Sequence, residues 1–307
     1  MKVEQYLFRN KERNLDENED VVLITHKNCP DGAAAAVLVK KVYPSAVVLH
    51  CVHEQVNQES LQVAEKISDG GKLIIADICP SQNTLDKLLK ILETKKTFLG
   101  IYDHHQSNSW LEKYCCSKDE KMEIVFDESR CGSKIVYDTL IKTHQKELEP
   151  YHDFIVISND RDLWLQKDPR SYHLSLLHKI LHDEKYVQRF LKNPFFDGDK
   201  SEKEILNFFA DLQKKNEEKL LKRIIVKEDK NGYLYGVIYG DGDSSTLLNN
   251  AIVRFNLEYA LLVNLNTKKV SIRSKGNFDC ATYSEKYGGG GHRCASGFRI
   301  KFDHPTF

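Results

Sequence analysis

The chain has 307 residues, of which 41% are hydrophobic and 29% are charged, so it can bury a core and suits one larger and one smaller domain. Basic and acidic residues balance at 45 each, which excludes a global positive field that would hold long nucleic acid or an acidic membrane. Residues 1–20 are charged throughout, and no stretch is long and apolar enough for a membrane span, so we expect a cytoplasmic protein without a signal peptide. The cysteines show no C-x-x-C spacing, which predicts reduced thiols.

The N-terminal part alternates short β-branched runs with helical patterns. The runs that predict strands are residues 21–25, 46–51, 72–77, 97–103, 123–127 and 153–160. Between them, residues 31–43 form an alanine-rich helical pattern, and residues 81–94 begin with a serine cap and continue with leucines at helical spacing. These intervals suit βαβ units, so the sequence predicts an α/β fold with a mostly parallel sheet.

The C-terminal part begins with a charged stretch at residues 201–229, whose apolar residues recur at the spacing of an amphipathic helix. After Gly232 the pattern continues as a strand, a helix, two alternating strands and a glycine-rich segment. We therefore predict a larger domain at 1–195, a connecting helix at 196–230 and a smaller α/β domain at 231–307.

Histidines and aspartates follow several of the predicted strands. His26 and Asp31 follow the first strand, Asp77 ends the third, the tripeptide Asp103-His104-His105 ends the fourth, and Asp160 closes the run at 153–160. Parallel strands present their carboxyl ends at one edge of a sheet, so these side chains are expected to converge there. Mixed nitrogen and oxygen donors suit manganese, iron or zinc better than calcium, and a carboxylate such as Asp77 can bridge two ions about 3.5 to 4 Å apart. Each residue also has a simpler interpretation, as a helix cap or a local hydrogen-bonding group.

Taken together, the motifs resemble the DHH phosphoesterase superfamily, which includes RecJ-type exonucleases, nano-RNases, cyclic-dinucleotide phosphodiesterases and manganese-dependent inorganic pyrophosphatases. The matching segments are HKNCPDGAAAA (26–36), DICP (77–80), DHH (103–105), RCGSKIVYDTL (130–140) and NDRDLW (159–164). The resemblance covers nearly the whole chain. It implies a DHH catalytic domain at 1–195 and a DHH-associated, substrate-binding domain at 231–307, joined by the helix at 196–230.

The resemblance also implies roles for individual residues. One metal ion would be held by His26, Asp31 and Asp77, and the other by Asp77, His104 and Asp160; two Mn²⁺ ions are expected, with Mg²⁺ or another divalent metal as alternatives. The catalytic residues would be His105, which faces the scissile phosphate, and Asp103, which orients a histidine.

Two positions in these motifs leave alternatives open. Asp162 competes with Asp160 as the ligand of the fourth motif, and Asp160 is favoured because it directly ends a predicted strand. Many family members carry a further aspartate at the position of Ala33, and Asn28 offers no charged carboxylate either, so one metal site is expected to be weaker or completed by water.

Cys29 and Cys79 lie inside the first two motifs as soft ligands, oxidation-sensitive neighbours or, as we expect, small packing residues.

The segment YGGGGHRCASGF (287–298) resembles the glycine-rich signature of the DHH-associated domain. Glycines let backbone amides approach an anion, so we expect substrate binding by Gly288, Gly289, Gly290, Gly291 and His292. Arg273 resembles a phosphate-contacting arginine of that domain. A flexible glycine loop and an exposed strand arginine are the simpler alternatives.

The function expected from the resemblance is a metal-dependent phosphodiesterase that hydrolyses short oligonucleotides or small nucleotide diesters through a water activated by two metal ions. The neutral net charge favours a short single-stranded substrate, because long strands require a basic groove. A pyrophosphate or polyphosphate hydrolase and a catalytically degenerate nucleotide-binding protein are the alternatives. The sequence leaves open the preference for RNA or DNA, the polarity of attack and the oligomeric state.

Overall fold

The computed structural model describes residues 21–115, 120–196 and 200–300. They form two compact units: the first contains the described residues up to His104 and from Asn108 to Glu202, and the second contains His105–Ser107 and the described residues from Lys203 onward. Cys116 and the outer ends of the two predicted domains, residues 1–20 and 301–307, lie outside the described residues. Within the described ranges, all cysteines are free thiols. No helix in these ranges combines the length and the apolar content that a membrane span requires.

The first unit is built on a five-stranded sheet in which every strand pair is parallel. Its strands are β1 (Val21–His26), β2 (Val47–Cys51), β3 (Lys72–Ala76), β4 (Phe98–Asp103) and β5 (Met122–Phe126). The strand order is β2-β1-β3-β4-β5, so β1, β3 and β4 are direct neighbours. The predicted parallel sheet and its first five strands are therefore confirmed.

Helices connect and cover these strands. They are α1 (Pro30–Val42), α2 (His53–Lys66), α3 (Gln82–Thr94), α4 (Gly132–Leu140), α5 (Gln145–Leu148), α6 (His152–Asp162) and α7 (Arg170–Lys192), with 3₁₀ segments at Gln106–Tyr114 and Glu149–Tyr151. Every residue of α1 from Asp31 to Val39 is buried, because alanines allow close packing of this helix against β1, α4 and α7. The serine cap of α3 is confirmed, since the Ser81 hydroxyl accepts from the Thr84 N–H.

The run at 153–160 is not a strand. It lies in α6, where Phe154, Ile155 and Ile157 are buried. A short apolar run cannot be assigned to a strand or a buried helix by periodicity alone, and here packing within a helical layer decides the outcome. Asp160 therefore does not end a strand, and the reason for preferring it to Asp162 is lost.

The second unit contains a six-stranded mixed sheet with two helices. The helix α8 (Lys200–Leu221) leads into it, followed by β6 (Ile225–Glu228), β7 (Leu234–Tyr239), α9 (Ser244–Arg254), β8 (Tyr259–Asn264), β9 (Lys269–Ser274), α10 (Cys280–Glu285), β10 (Gly290–His292) and β11 (Ala295–Arg299). The order is β10-β11-β9-β8-β7-β6, and only β7 and β8 pair in parallel. The predicted smaller α/β part is confirmed, but the long helical pattern at 201–229 stops at Leu221 and its end forms β6.

Candidate metal centre

The central side chains of the site lie at the carboxyl ends of three adjacent strands. His26 is the last residue of β1, Asp77 follows β3, and His104 follows β4. The Asp77 N–H donates to the Tyr102 carbonyl on β4 at 3.0 Å, while its backbone adopts a left-handed φ of 58°. This conformation turns the chain out of the strand immediately after the sheet pairing ends.

The Asp77 carboxylate lies between the two histidines. Its Oδ2 is 3.7 Å from His26 Nδ1, and its Oδ1 is 3.3 Å from His104 Nε2. One oxygen therefore faces each imidazole, which is the arrangement of a bridging carboxylate. Asp77 is only 1% exposed, so its charge is not compensated by bulk water.

Asp31 reaches the centre from the first turn of α1. The Thr25 hydroxyl donates to the Gly32 carbonyl at 3.0 Å and fixes the start of this helix against β1. A Cβ atom at Gly32 would lie 2.5 Å from the His26 carbonyl oxygen, so glycine is needed for this approach. Asp31 Oδ2 then lies 3.9 Å from His104 Nε2.

The N-terminus of α4 forms the next wall of the centre. The Ser133 N–H donates to Asp31 Oδ1 at 3.0 Å, as expected of a helix N-terminus facing a carboxylate. A Cβ atom at Gly132 would lie 2.9 Å from Asp77 Cβ and 3.0 Å from Asp31 Oδ2. Sequence reasoning did not assign a role to Gly132 or Ser133, although both belong to the segment at 130–140 that resembles the family.

Three polar side chains of the fourth motif make three different contacts. Asn159 Oδ1 accepts from the Cys131 N–H at 2.9 Å at the start of α4, and Asp160 Oδ1 accepts from the Lys167 N–H at 2.8 Å. Asp162, at the end of α6, places Oδ2 3.5 Å from His104 Nε2. The geometry thus brings Asp162 to the cluster, whereas Asp160 uses one oxygen to hold the loop that follows α6.

The charges in this cluster are unbalanced without a cation. Burial, and then repulsion by Asp77 and Asp162, raises the pKa of Asp31 to about 7. Burial alone would lower the pKa of His104, but the carboxylates around it, Asp162 first, raise it to about 10. Asp31 Oδ2 is buried and has no hydrogen-bond partner among the described residues. A divalent cation would satisfy this oxygen and neutralise the carboxylates, so the residues present fit a metal centre.

Within the first unit, the donor atoms that could hold a metal ion fall into two groups. The oxygen-rich group consists of Asp31, His104 and Asp162, and the sulfur-containing group consists of His26, Cys29 and Asp77; in each group one donor atom per residue lies within 4.8 Å of the others. Both are located in the first unit. The sequence analysis expected Cys29 to be a packing residue, yet its thiol reaches the carboxylate cluster. Burial, followed by Asp77, raises the pKa of that thiol well above its ordinary value.

Comparison with protein-family models finds no match. The chain is 24% identical over 293 residues to the oligoribonuclease NrnB of Bacillus subtilis, an alignment that covers 88% of this chain and 70% of NrnB. Its fold is similar to that of a solved DHH domain, described as belonging to a member of a family of ribosomal proteins, with a TM-score of 0.61, 14% identity and coverage of 92% of this chain and 83% of that one.

The alignment with NrnB and the fold shared with a solved DHH domain support the DHH phosphoesterase superfamily, which the motifs indicated, and the corresponding enzyme class, a hydrolase acting on phosphoester bonds.

The tripeptide that gives DHH phosphoesterases their name is held tightly at its first residue. Asp103 is fully buried, its Oδ1 accepts from the His104 N–H at 2.8 Å, and its Oδ2 accepts from the Asn108 amide at 2.5 Å. These bonds fix the turn that presents His104. The partly buried His105 follows directly. That Asp103 orients a histidine and that His105 faces the phosphate stay predictions.

The glycines of the second unit that are predicted to bind substrate have defined backbone roles. A Cβ atom at Gly289 would lie 2.1 Å from the Gly297 carbonyl oxygen, and one at Gly291 would lie 2.6 Å from the Ala295 carbonyl oxygen. The glycines therefore permit the close β10–β11 hairpin. Gly288 precedes this hairpin, and Gly290 and His292 lie within β10.

Arg273 lies on β9 of the same unit. Its guanidinium donates to the Ser245 hydroxyl at 2.7 Å and to the Ile272 carbonyl at 2.8 Å. Its predicted contact with a phosphate, like the substrate-binding role of Gly288, Gly289, Gly290, Gly291 and His292, stays a prediction.

Proposed function

We propose that this protein is a divalent-metal-dependent phosphodiesterase that hydrolyses short oligonucleotides or small nucleotide diesters. The observation that carries the proposal is the Asp77 carboxylate, which presents one oxygen to His26 and the other to His104 at the edge of the sheet. The similar protein NrnB is an oligoribonuclease, which supports the choice of substrate class.

The proposed centre holds two metal ions, with Mn²⁺ as the expected metal. His26, Asp31 and Asp77 would hold one, and Asp77, Asp31, His104 and Asp162 the other. Asp162 replaces Asp160 in this assignment because its carboxylate oxygen lies 3.5 Å from the His104 imidazole. Bound metal ions supply hydroxide near neutral pH and neutralise charge that develops on the phosphate.

The chain's own residues hold this centre in place. The Ser133 N–H and the fixed start of α1 orient Asp31, so its second oxygen faces His104. Bonds from the His104 N–H and Asn108 to Asp103 hold the turn that carries His104. Such preorganised polar groups lower the cost of charge development during reaction. His105 is proposed to contact the phosphate that is cleaved.

The proposed substrate is short because a net charge of zero provides no long-range attraction for a polyanion. We propose that the second unit, with Arg273, the glycine run at 288–291 and His292, contacts the nucleotide. Residues 1–195 would then be the catalytic domain, 196–230 the connecting helix and 231–307 the substrate domain. The free thiols fit action in the cytoplasm.

The test is product analysis after metal removal and reloading with manganese. End-labelled RNA and DNA oligomers, from dinucleotides to long strands, are incubated with the protein and with Asp162→Asn as the inactive control. Release of mononucleotides, fastest from the shortest oligomers and lost in the control, is the expected result.

Two outcomes would contradict the proposal. Cleavage of pyrophosphate or polyphosphate without any diesterase activity would replace the substrate class. Binding of nucleotides without turnover of any phosphoester, in protein with full metal content, would leave the chain as a nucleotide-binding protein.

A further inference from the structure

The Cys29 side chain does not cap the helix that follows it. Cys29 is the residue that precedes α1, with extended backbone angles of φ −122° and ψ 124°, yet its side chain makes no capping hydrogen bond. The Cys29 sulfur instead lies within 4.8 Å of a carboxylate oxygen of Asp77 and a ring nitrogen of His26. A small packing residue would have no reason to face carboxylates.

The surroundings of Cys29 differ from those of Cys79 in the second motif. Cys79 belongs to the apolar core of the sheet, and its thiol donates to the Pro80 carbonyl at 3.3 Å. Cys131 is also buried and lies near Asp31, but in the described part of the chain it belongs to no group of donor atoms within reach of one ion. Of these three cysteines, Cys29 is the one whose sulfur lies beside a histidine and a carboxylate that could bind the same ion.

The donor atoms of His26, Cys29 and Asp77 are spaced for a single ion. All three lie within 4.8 Å of one another. Donor atoms of a tetrahedral zinc site, with bonds of about 2.0 to 2.3 Å, lie about 3.3 to 3.6 Å apart. His26 Nδ1 and Asp77 Oδ2 are already 3.7 Å apart, so side-chain rotations that bring the Cys29 sulfur to a similar spacing would complete the set. His26 is 25% exposed at its side chain, so a cation can reach this group from solvent.

We propose that Cys29 is a metal ligand and that His26, Cys29 and Asp77 form a mixed nitrogen, sulfur and oxygen site selective for zinc, cobalt or iron over manganese. The inference rests on the proposed function, since it requires a cation in the centre; at this one site it replaces Asp31 with Cys29 as a ligand and Mn²⁺ with a softer cation as the preferred metal. On binding, the thiol proton is released to solvent and the sulfur lone pair bonds to the cation. A thiolate is a softer donor than a carboxylate, which shifts the preference away from manganese and magnesium. Cys29 thereby supplies the charged donor that Ala33 and Asn28 lack.

The experiment titrates the metal-free full chain with Co²⁺ and records the near-ultraviolet spectrum, because a thiolate bound to cobalt gives a charge-transfer band that nitrogen and oxygen ligands do not. The band is expected in the natural chain. It is lost in Cys29→Ser and retained in the matched variants Cys79→Ser and Cys131→Ser. Circular dichroism of each variant checks that the fold is kept.

A second variant tests the selectivity. Cys29→Asp replaces the sulfur with a hard oxygen donor, so competition between Zn²⁺ and Mn²⁺ should shift towards manganese without loss of bound metal. Unchanged selectivity in this variant would contradict the proposal, as would a band that survives in Cys29→Ser.

The outcomes also separate this inference from the proposed function. Cobalt that binds and supports diester cleavage without a thiolate band would overturn the role of Cys29 and leave the proposed function intact. Failure of the folded chain to bind any divalent metal would overturn both.

Discussion

Asp77 belongs to the sulfur-containing group and also faces His104 of the oxygen-rich group, but the two groups lie in different surroundings. In the oxygen-rich group, Asp31 and His104 are almost completely buried, and the N-terminus of α4 holds Asp31 in place. In the sulfur-containing group, His26 and Cys29 are partly exposed and follow one another at the end of β1. The first group is therefore fixed by contacts from several elements, whereas the second depends mainly on one loop.

This difference predicts that the two groups of the proposed centre differ in how strongly they hold a metal ion and in which ion they select. Carboxylate oxygens of Asp31, Asp77 and Asp162 lie 3.9, 3.3 and 3.5 Å from His104 Nε2. This accumulation of negative charge carries a high electrostatic cost that a cation relieves, so the oxygen-rich group should retain its metal strongly. The partly exposed group can exchange its ion more easily, and its sulfur donor determines which ion it selects. Substitutions can therefore change one group, the other or both.

Asp77→Asn acts on both groups and is expected to have the largest effect. The amide keeps the shape of the side chain but removes the charge shared by the two histidines, so activity should fall by about a thousandfold or more, the upper range for loss of one electrostatic contact in an active site. Metal analysis of the purified variant should show loss of bound ions.

The metal-free form of the same variant should become more stable. Repulsion by Asp77 contributes to the raised pKa of Asp31, so its removal relieves buried like charge and should raise the Tm in EDTA. A variant that keeps its metal, or loses stability without it, would contradict the bridging role of Asp77.

Asp162→Asn and Asp160→Asn form a matched pair that acts on the oxygen-rich group. Asp162 faces His104, so its change should lower kcat by about a hundredfold or more. Asn at position 160 retains the oxygen that accepts from the Lys167 N–H, so metal content and kcat should change little. The reverse result, with Asp160→Asn inactive and Asp162→Asn active, would restore Asp160 as the ligand.

Gly132→Ala tests how tightly the carboxylates are held. The added Cβ would lie 2.9 Å from Asp77 Cβ and 3.0 Å from Asp31 Oδ2, so both carboxylates must shift. Metal affinity should fall by about 10- to 100-fold, the range seen when groups that orient ligands are changed. Gly70→Ala is the control, because nothing lies within 4 Å of a Cβ there; its left-handed φ of 78° makes this substitution strain the backbone without touching a carboxylate of the centre. Equal metal affinity in both variants would show that the centre tolerates displacement.

The sequence predicted much of this centre because strand ends in a parallel sheet converge by topology. His26, Asp77 and His104 could be assigned to one edge from the β-branched runs that precede them, and the sheet order places those strands side by side. The alternation of strands and helices is sufficient to place these three residues at one edge of the sheet, because that placement does not depend on where each side chain points.

The parts that could not be predicted depend on side-chain direction and tertiary packing. Residues 153–160 contain a β-branched run but lie in a buried helix, so the strand end that favours Asp160 over Asp162 in the sequence is absent. Cys29 was expected to pack, because nothing in the sequence indicates that its thiol faces carboxylates. The contact of Gly132 with Asp77 joins residues far apart in the chain and has no local signal.

The metal-free protein should lose stability as the pH rises. The folded pKa of Asp31 is raised to about 7, above an unfolded value of about 3.9, so its contribution is present below pH ~4 and lost as the pH rises through 7. The folded pKa of His104 is raised to about 10, against about 6.5 when unfolded, so its contribution is lost between those values. In EDTA, the Tm should fall by several degrees between acidic and alkaline buffer.

Bound metal should weaken or reverse this trend, because ligand carboxylates and imidazoles must be deprotonated. Asp31→Asn should remove the change near neutral pH in the metal-free protein while leaving the change attributed to His104. A Tm in EDTA that rises with pH across this range would contradict the proposed charge imbalance.

Asp183→Asn acts on the sulfur-containing group alone and should have the smallest effect. Asp183 Oδ2 accepts from the Asn28 N–H at 3.0 Å, and Oδ1 pairs with His178 Nε2 at 2.7 Å. Burial opposes the charge, but these bonds lower the pKa of Asp183 below its ordinary value. The carboxylate thus anchors the loop in which Asn28, with a left-handed φ of 56°, precedes Cys29.

The amide of Asp183→Asn keeps one acceptor for the Asn28 N–H but removes the charge, so affinity at the sulfur-containing group should fall by about tenfold, the lower end for groups that orient ligands. The cobalt–thiolate band should appear at higher cobalt concentration with its intensity at saturation unchanged, which a general loss of folding would not produce. An equal loss of affinity at both metal sites would show that the two groups are held as one unit, and the contrast between a fixed group and a loop-dependent group would then be wrong.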